Sequence, residues 1–140
     1  MQLNLTTDYA IRVVLYLAEA EGLVTSQDLA NFSKVSPNYI FKIMKKLVDA
    51  GYVKQFRGVK GGYKLCVNPQ DISLWDIIEL MEPTTAINRC LEEDSYCSRH
   101  GNVLGCQVNA VYRVFQEQME TYFKSYSIQR IVDEWGDKPL

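Results

Sequence analysis

Ser36-Pro37-Asn38-Tyr39-Ile40-Phe41-Lys42-Ile43-Met44-Lys45-Lys46-Leu47-Val48-Asp49-Ala50-Gly51 is the stretch whose reading decides the fold. It carries its own start and stop signals. Ser36 is a residue whose hydroxyl can cap a helix, and Pro37 stands at the first helical position, where its missing N–H costs no hydrogen bond. Ile40, Ile43, Met44 and Leu47 recur at helical spacing and make a stripe for burial. Asn38, Lys42, Lys45 and Lys46 are left on the open face. Gly51 supplies the left-handed residue on which such helices end.

Working back toward the N-terminus, a three-residue turn, Ser33-Lys34-Val35, precedes this helix. Before it, Thr25 and Asp28 form a capping box, with Val24 and Leu29 as a hydrophobic staple, so a second helix runs to about Phe32. Further back, Ala10, Val13, Val14 and Leu17 share one face of a helix expected over residues 7–19, with Thr6 as its cap and Asp8 in its first turn. Working forward, Tyr52–Arg57 and Tyr63–Val67 read as strands joined by the glycine-rich tip Gly58-Val59-Lys60-Gly61-Gly62. Asn68-Pro69 closes that hairpin. Ser73 and Asp76, with Ile72 and Ile77, start a fourth helix that stops at Glu82-Pro83. Residues 84–105 have no periodic pattern, and an irregular stretch of that length in a small protein is usually functional. Beyond it, Val108, Tyr112, Phe115, Met119, Tyr122 and Tyr126 alternate at spacings of 4 and 3. That is the pattern of a helix packed along another helix, either in a second copy of the chain or in its own domain. The fold class is therefore mainly α with a small β-hairpin: a winged helix-turn-helix followed by a long C-terminal helix.

Two helices joined by a short turn, the second of them capped, make the geometry that sets the second helix in a DNA major groove. Its first residues, Ser36, Pro37, Asn38 and Tyr39, with Lys42 one turn on, then face base edges. Asn can bond adenine at two atoms, and Ser can serve either base. Lys45 and Lys46 suit phosphates, which fix position and not sequence. Arg57 and Lys60 sit on a hairpin whose glycines allow close approach, and a narrow minor groove admits an arginine. The charge distribution agrees. Residues 1–65 hold nine Lys and Arg against five Asp and Glu, and residues 66–140 hold six against twelve. A basic half within a chain of net charge −2 points to a polyanion partner for that half.

No apolar run approaches the ~18 residues of a membrane span, and the start of the chain lacks the basic-then-apolar pattern of a secretory signal. A cytoplasmic location is expected, where four cysteines are thiols or ligands more often than disulfides. Cys66 lies in the second strand and reads as a small buried hydrophobe. Cys90, Cys97 and Cys106 cluster in the irregular stretch, with six and eight residues between them. Thiolates suit soft metals and iron–sulfur clusters, and the paired two-residue gaps of structural zinc are missing. Read from the residues alone, these thiols are a metal site or a thiol switch. With no C-x-x-C motif and no base beside a nucleophile, an enzyme is not expected.

Thr7-Asp8-Tyr9-Ala10-Ile11-Arg12, Ala50-Gly51-Tyr52-Val53, Arg57-Gly58-Val59-Lys60-Gly61-Gly62-Tyr63-Lys64-Leu65 and Ile72-Ser73-Leu74-Trp75-Asp76-Ile77-Ile78 together resemble the Rrf2 family of transcriptional regulators. The resemblance implies a homodimer that binds a palindromic DNA operator, most often as a repressor. The recognition helix would read the major groove, and Arg57 would enter the minor groove. It also implies that Cys90, Cys97 and Cys106 hold an iron–sulfur cluster, [2Fe-2S] or [4Fe-4S], sensitive to nitric oxide, redox or iron status. Cluster-homeostasis (IscR-type) members place a His shortly after the third Cys, where this chain has Gln107, Val108 and Asn109. Nitric-oxide-sensing (NsrR-type) members use an Asp near the start of the first helix, reaching from the partner subunit, and Asp8 matches that position. His100, the single histidine, is the competing fourth ligand. A cluster-free regulator that uses a thiol switch or zinc remains the alternative, ahead of a small thiol enzyme. The organisation expected is a winged helix-turn-helix over residues 1–82, a cysteine-bearing loop over 83–106, and a dimerisation helix with a C-terminal tail over 107–140. A cluster bridging one subunit's loop and another's Asp8 would tie the first helix to the dimer seam and set the posture of the two recognition helices.

Overall fold

A computed structural model describes residues 2–98 and 105–136. The chain enters helix α1 at Leu5–Glu19 and continues through α2 at Ser26–Ser33 and α3 at Pro37–Asp49. Strands β1, Val53–Phe56, and β2, Gly62–Leu65, follow as an antiparallel pair with Val53 opposite Leu65 and Phe56 opposite Gly62. Then come α4 at Leu74–Met81, α5 at Gln107–Lys124 and α6 at Ile128–Trp135, with single 3-10 turns at Pro69–Asp71 and Arg89–Leu91. Mainly helical with a small hairpin is the expected class.

The local signals explain most of these boundaries. Thr25 and Ser73 each make a full capping box, with Asp28 and Asp76 returning a bond to the cap backbone. The Asp28 carboxyl is held below its ordinary range, first by the Thr25 hydroxyl and then by the Thr25 backbone N–H. Ser36 caps α3 with Pro37 at its start. Gly51 follows α3 at φ +80°, the left-handed conformation that glycine adopts without a Cβ clash. Gly62 is required for a different reason. A Cβ there would lie 2.7 Å from the Val24 carbonyl oxygen, because Val24 and Tyr63 exchange backbone hydrogen bonds of 3.0 and 2.8 Å. That bridge stitches the hairpin to the segment before α2, so the wing has a fixed root.

Three expectations need correction. Asn4 caps α1, and Thr6 does not: the Asn4 side chain accepts from the Thr7 N–H at 3.1 Å, and Thr6 lies inside the helix. An earlier Asn takes the capping role in place of the Thr–Thr pair, because Asn caps at least as well. Cys66 is exposed and not a core residue. It falls one residue past the end of β2, where its thiol donates to the Gly51 carbonyl at 3.1 Å. The apolar spacing that appeared to run to Tyr126 outlasts its helix, which ends at Lys124 before a turn into α6.

The core is built on α1. Ala10, Val13 and Val14 are fully buried, and Leu17 nearly so. Around them pack Leu29 from α2, Ile40, Ile43, Met44 and Leu47 from α3, Val53 and Tyr63 from the hairpin, and Ile77 and Met81 from α4. Ile128 of α6 closes the far side, with Ile131 and Val132 against it. The return of α6 is held by main-chain bonds, Ile128 N–H to Ile72 and Leu74 N–H to Tyr126, each 2.8 Å. This last helix is not among the elements expected from the sequence. It is short, and it packs on α1 and on the 3-10 turn at Pro69–Asp71, with Trp135 against Tyr126.

Replacing the Ser73 cap tests this reading of α4. Ser73→Ala removes the bond from the Asp76 N–H and should cost about 1 kcal/mol. A thermal unfolding scan should show a fall of roughly 3–5 °C for a chain of this size.

Candidate nucleic-acid interface and cysteine loop

On α3 the residues proposed to meet DNA do not all face the same way. Asn38, Lys42 and Lys45 are exposed on the side opposite the buried stripe. Ser36 uses its hydroxyl as the cap, accepting from the Tyr39 N–H at 3.3 Å. Pro37 is half-buried in the first turn. Tyr39 is half-buried too, with its ring edge-on to Tyr9 at 5.8 Å and its hydroxyl 2.5 Å from the Thr6 hydroxyl. Tyr39 thus anchors the recognition helix to the first turn of α1. Lys45 pairs with Asp49 at 2.7 Å on the surface, a contact of little energetic weight. Lys46 turns its ammonium toward the Met81 carbonyl at 3.4 Å, at the end of α4. Arg57 and Lys60 are exposed on the wing tip.

The start of α1 is a junction. Glu82, the residue after α4, accepts from the Asn4 backbone at 2.9 Å, the Asn4 side-chain amide at 2.8 Å and the Thr7 hydroxyl at 2.6 Å. A carboxylate at a helix N-terminus is electrostatically favoured there. Through Glu82 the beginning of the cysteine loop is fastened to the same turn of α1 that holds Tyr39. Asp8 occupies that turn as well, paired with Arg12 at 2.9 Å, and both side chains are 44% exposed. The Asp8 carboxylate therefore remains open to a further partner.

Residues 85–91 lie against α5. Gln116 accepts from the Ile87 N–H at 2.9 Å and donates to the Thr85 carbonyl at 3.1 Å. Asn109, only 2% exposed, donates to the Cys90 sulfur at 3.2 Å and lies 3.4 Å from its carbonyl oxygen. Arg113 in turn donates to the Asn109 amide oxygen at 2.7 Å, which fixes how that amide is oriented. Farther along, Arg89 grips Glu92 and Asp94, which holds its own guanidinium charged and the Asp94 carboxyl below its ordinary range. Cys106 is exposed at the N-cap of α5, where no side chain bonds the helix. Cys90 and Cys106 are thus brought to the same end of α5, while Cys97 is half-buried in the loop between them. His100 lies outside the described residues. Among the described residues of one protomer, no three His, Cys, Asp or Glu side chains stand close enough to hold a metal ion.

Sequence reasoning missed Asn4, Glu82, Asn109 and Gln116. The last two were findable. Asn109, Arg113, Gln116 and Glu120 repeat at helical spacing on the side of α5 that faces the loop. The apolar residues Val108, Val111, Phe115 and Tyr122 lie on another side and are between 51% and 66% exposed.

The chain matches the family model for Rrf2, described as an iron-dependent transcriptional regulator, over residues 3–134. A protein of Aquifex aeolicus (strain VF5), described as an HTH-type transcriptional regulator, is 29% identical over 129 residues, which is 91% of this chain and 89% of that protein. Among solved structures, T. potens IscR superposes with a TM-score of 0.75 at 22% identity, covering 100% of this chain and 93% of that one. CymR (YrzC), the global cysteine regulator of B. subtilis, gives 0.76 at 21% identity over 96% and 98%. At these identities the two structures speak for the fold alone. Among the described residues, no helix is long and apolar enough to cross a membrane.

The amide clip yields a direct test. Asn109→Ala leaves the Cys90 carbonyl without its side-chain donor, and Gln116→Ala frees the Ile87 N–H. Hydrogen exchange should show faster exchange across residues 85–91 in both variants, while the buried amides of α1 and α3 keep their protection.

Proposed function

Because this chain belongs to the Rrf2 family of transcriptional regulators, we propose that it is a homodimeric, operator-binding regulator whose DNA affinity is set by an iron–sulfur cluster in the cysteine loop. The observation that carries this reading is the convergence of Cys90 and Cys106 on one end of α5, with the Asn109 amide hydrogen-bonded to the Cys90 sulfur. Hydrogen bonds to ligand sulfurs are among the levers by which proteins tune such clusters.

The donor set fits the group. Cys90, Cys97 and Cys106 offer three soft thiolates, and the fourth place falls to an oxygen ligand, Asp8 of the partner subunit. On this reading the three thiolates come from one loop and the fourth ligand from a second copy, so the site is completed across a dimer. The exposed apolar side of α5 supplies the seam for that copy: Val108, Val111, Val114, Phe115 and Tyr122 are each at least half exposed. Bound there, an iron–sulfur cluster supplies a centre that reacts with oxygen or nitric oxide.

The chain's own residues supply the rest. Asn109 and Gln116 hold the loop to α5, Glu82 holds the loop's start to α1, and Tyr39 holds α1 to the recognition helix. On the DNA side, Asn38 and Lys42 face base edges, Lys45 reaches the backbone once released from Asp49, and Arg57 and Lys60 meet the adjacent groove. Ser36, Pro37, Tyr39 and Lys46 set the pose of the helix. Palindromic half-sites about 34 Å apart then suit two recognition helices in a symmetric dimer.

A second reading is a cluster-free regulator that works by thiol oxidation or zinc. The exposure of Cys106 and the lack of a three-donor group among the described residues of one protomer favour it. Metal and acid-labile sulfide content separates the two.

Anaerobic protein supplied with iron and sulfide should bind duplex DNA with an affinity that falls steeply with salt. Exposure to nitric oxide or oxygen should shift its operator affinity by roughly 5–150-fold, the usual range of allosteric coupling. A variant with Cys90, Cys97 and Cys106 all replaced by Ser should show no shift. An equal response in that variant would contradict the proposal. Asp8→Ala removes only a surface ion pair with Arg12 and should fold normally, yet lose the response.

A further inference from the structure

The open face of α3 carries one residue that neither the core nor phosphate contact explains. Phe41 is 47% exposed. It lies between Asn38 and Lys45 along the helix, on the flank of the stripe made by Ile40, Ile43, Met44 and Leu47, which are 0–1% exposed. It is not part of the buried cluster that those four residues belong to. Opposite it, Phe56 on β1 is 39% exposed, and the two rings line an open hollow of about 410 Å³ between the recognition helix and the wing. Arg57 borders the same hollow. A half-exposed aromatic ring at the edge of a lysine-bearing face costs hydration free energy unless something apolar covers it.

We propose that Phe41 is a specificity-determining residue that packs on the 5-methyl group of a thymine in the major groove. The occupant is double-stranded DNA because the flanking side chains on the same face, Lys42 and Lys45, and Arg57 across the hollow, are cationic. Among base edges in the major groove, the thymine methyl is the apolar feature, and aromatic or aliphatic side chains contact it. Asn38, one turn earlier on the same face, presents an amide suited to adenine. The pair would thus favour an A·T-containing half-site read by one polar and one apolar contact. The inference rests on the operator-binding reading and deepens it.

The test begins with selection of duplexes from a random pool by the full-length wild-type protein, then replaces each thymine of the selected duplex singly by deoxyuridine. That change removes one methyl group, keeps the base pairing and leaves the protein untouched. Wild type should lose roughly fourfold in affinity at one thymine per half-site, the worth of one buried methyl group. Phe41→Ala should bind the thymine and deoxyuridine duplexes equally, and Phe41→Leu should keep part of the preference. If wild type binds every deoxyuridine duplex as tightly as its thymine parent, or if Phe41→Ala loses as much as wild type does, the assignment of Phe41 is wrong. Selection of no duplex at all would overturn the operator-binding reading itself, and the role of Phe41 with it.

Discussion

Burial of α1 on nearly every side is the constraint on which the rest of the structure depends. Ala10, Val13 and Val14 have no solvent exposure, and α2, α3, β2, α4 and α6 all pack against this one helix. A truncation in such a tightly packed centre typically costs 2–5 kcal/mol, since neighbours relax only partly into the space. The small side chains at these positions let five elements approach one axis. α3, the hairpin and α4, which leads into the cysteine loop, all pack on α1, and α3 also meets β1 directly.

The polar first turn of α1 adds a second function to that scaffold. Glu82 binds it from the loop side and Tyr39 from the DNA side, and Asp8 projects from it. On the proposed reading, any force on Asp8 or on the start of the loop is delivered to the turn that carries the recognition helix. A rigid connection of this kind suits a regulator, because small reorientations of two helices matter when both must meet grooves a fixed distance apart. Helix α5 presents an exposed apolar side and, on another side, the amide clip that holds the loop.

Elements marked by local chemistry were legible in the sequence. The capping boxes at Thr25 and Ser73, Pro37 after Ser36, and Gly51 placed three helices closely, because each signal acts within four residues. What escaped was decided by distant partners. Asn4 caps α1 and also bonds Glu82, a residue 78 positions away. Helix α6 packs on α1 and on the 3-10 turn at Pro69–Asp71, both far away in sequence, and Cys66 is exposed one residue past the end of β2. The residues proposed to face DNA include Ser36, whose capping role was legible locally, whereas the engagement of Tyr39 and Lys46 required the tertiary contacts with Thr6 and Met81. The cysteines were recognised by type and clustering. Asn109, which holds Cys90, and Gln116, which holds Thr85 and Ile87, lie on a side of α5 that the apolar spacing did not use.

The visible absorption spectrum of the protein purified without oxygen, read together with its iron and sulfide content, tests the central claim most directly. Ligation by Cys90, Cys97 and Cys106 predicts a coloured dimer with broad sulfur-to-iron charge-transfer absorption and iron and sulfide in equal amounts. A protein that stays colourless after supply of iron and sulfide, with its thiols intact, contradicts the account.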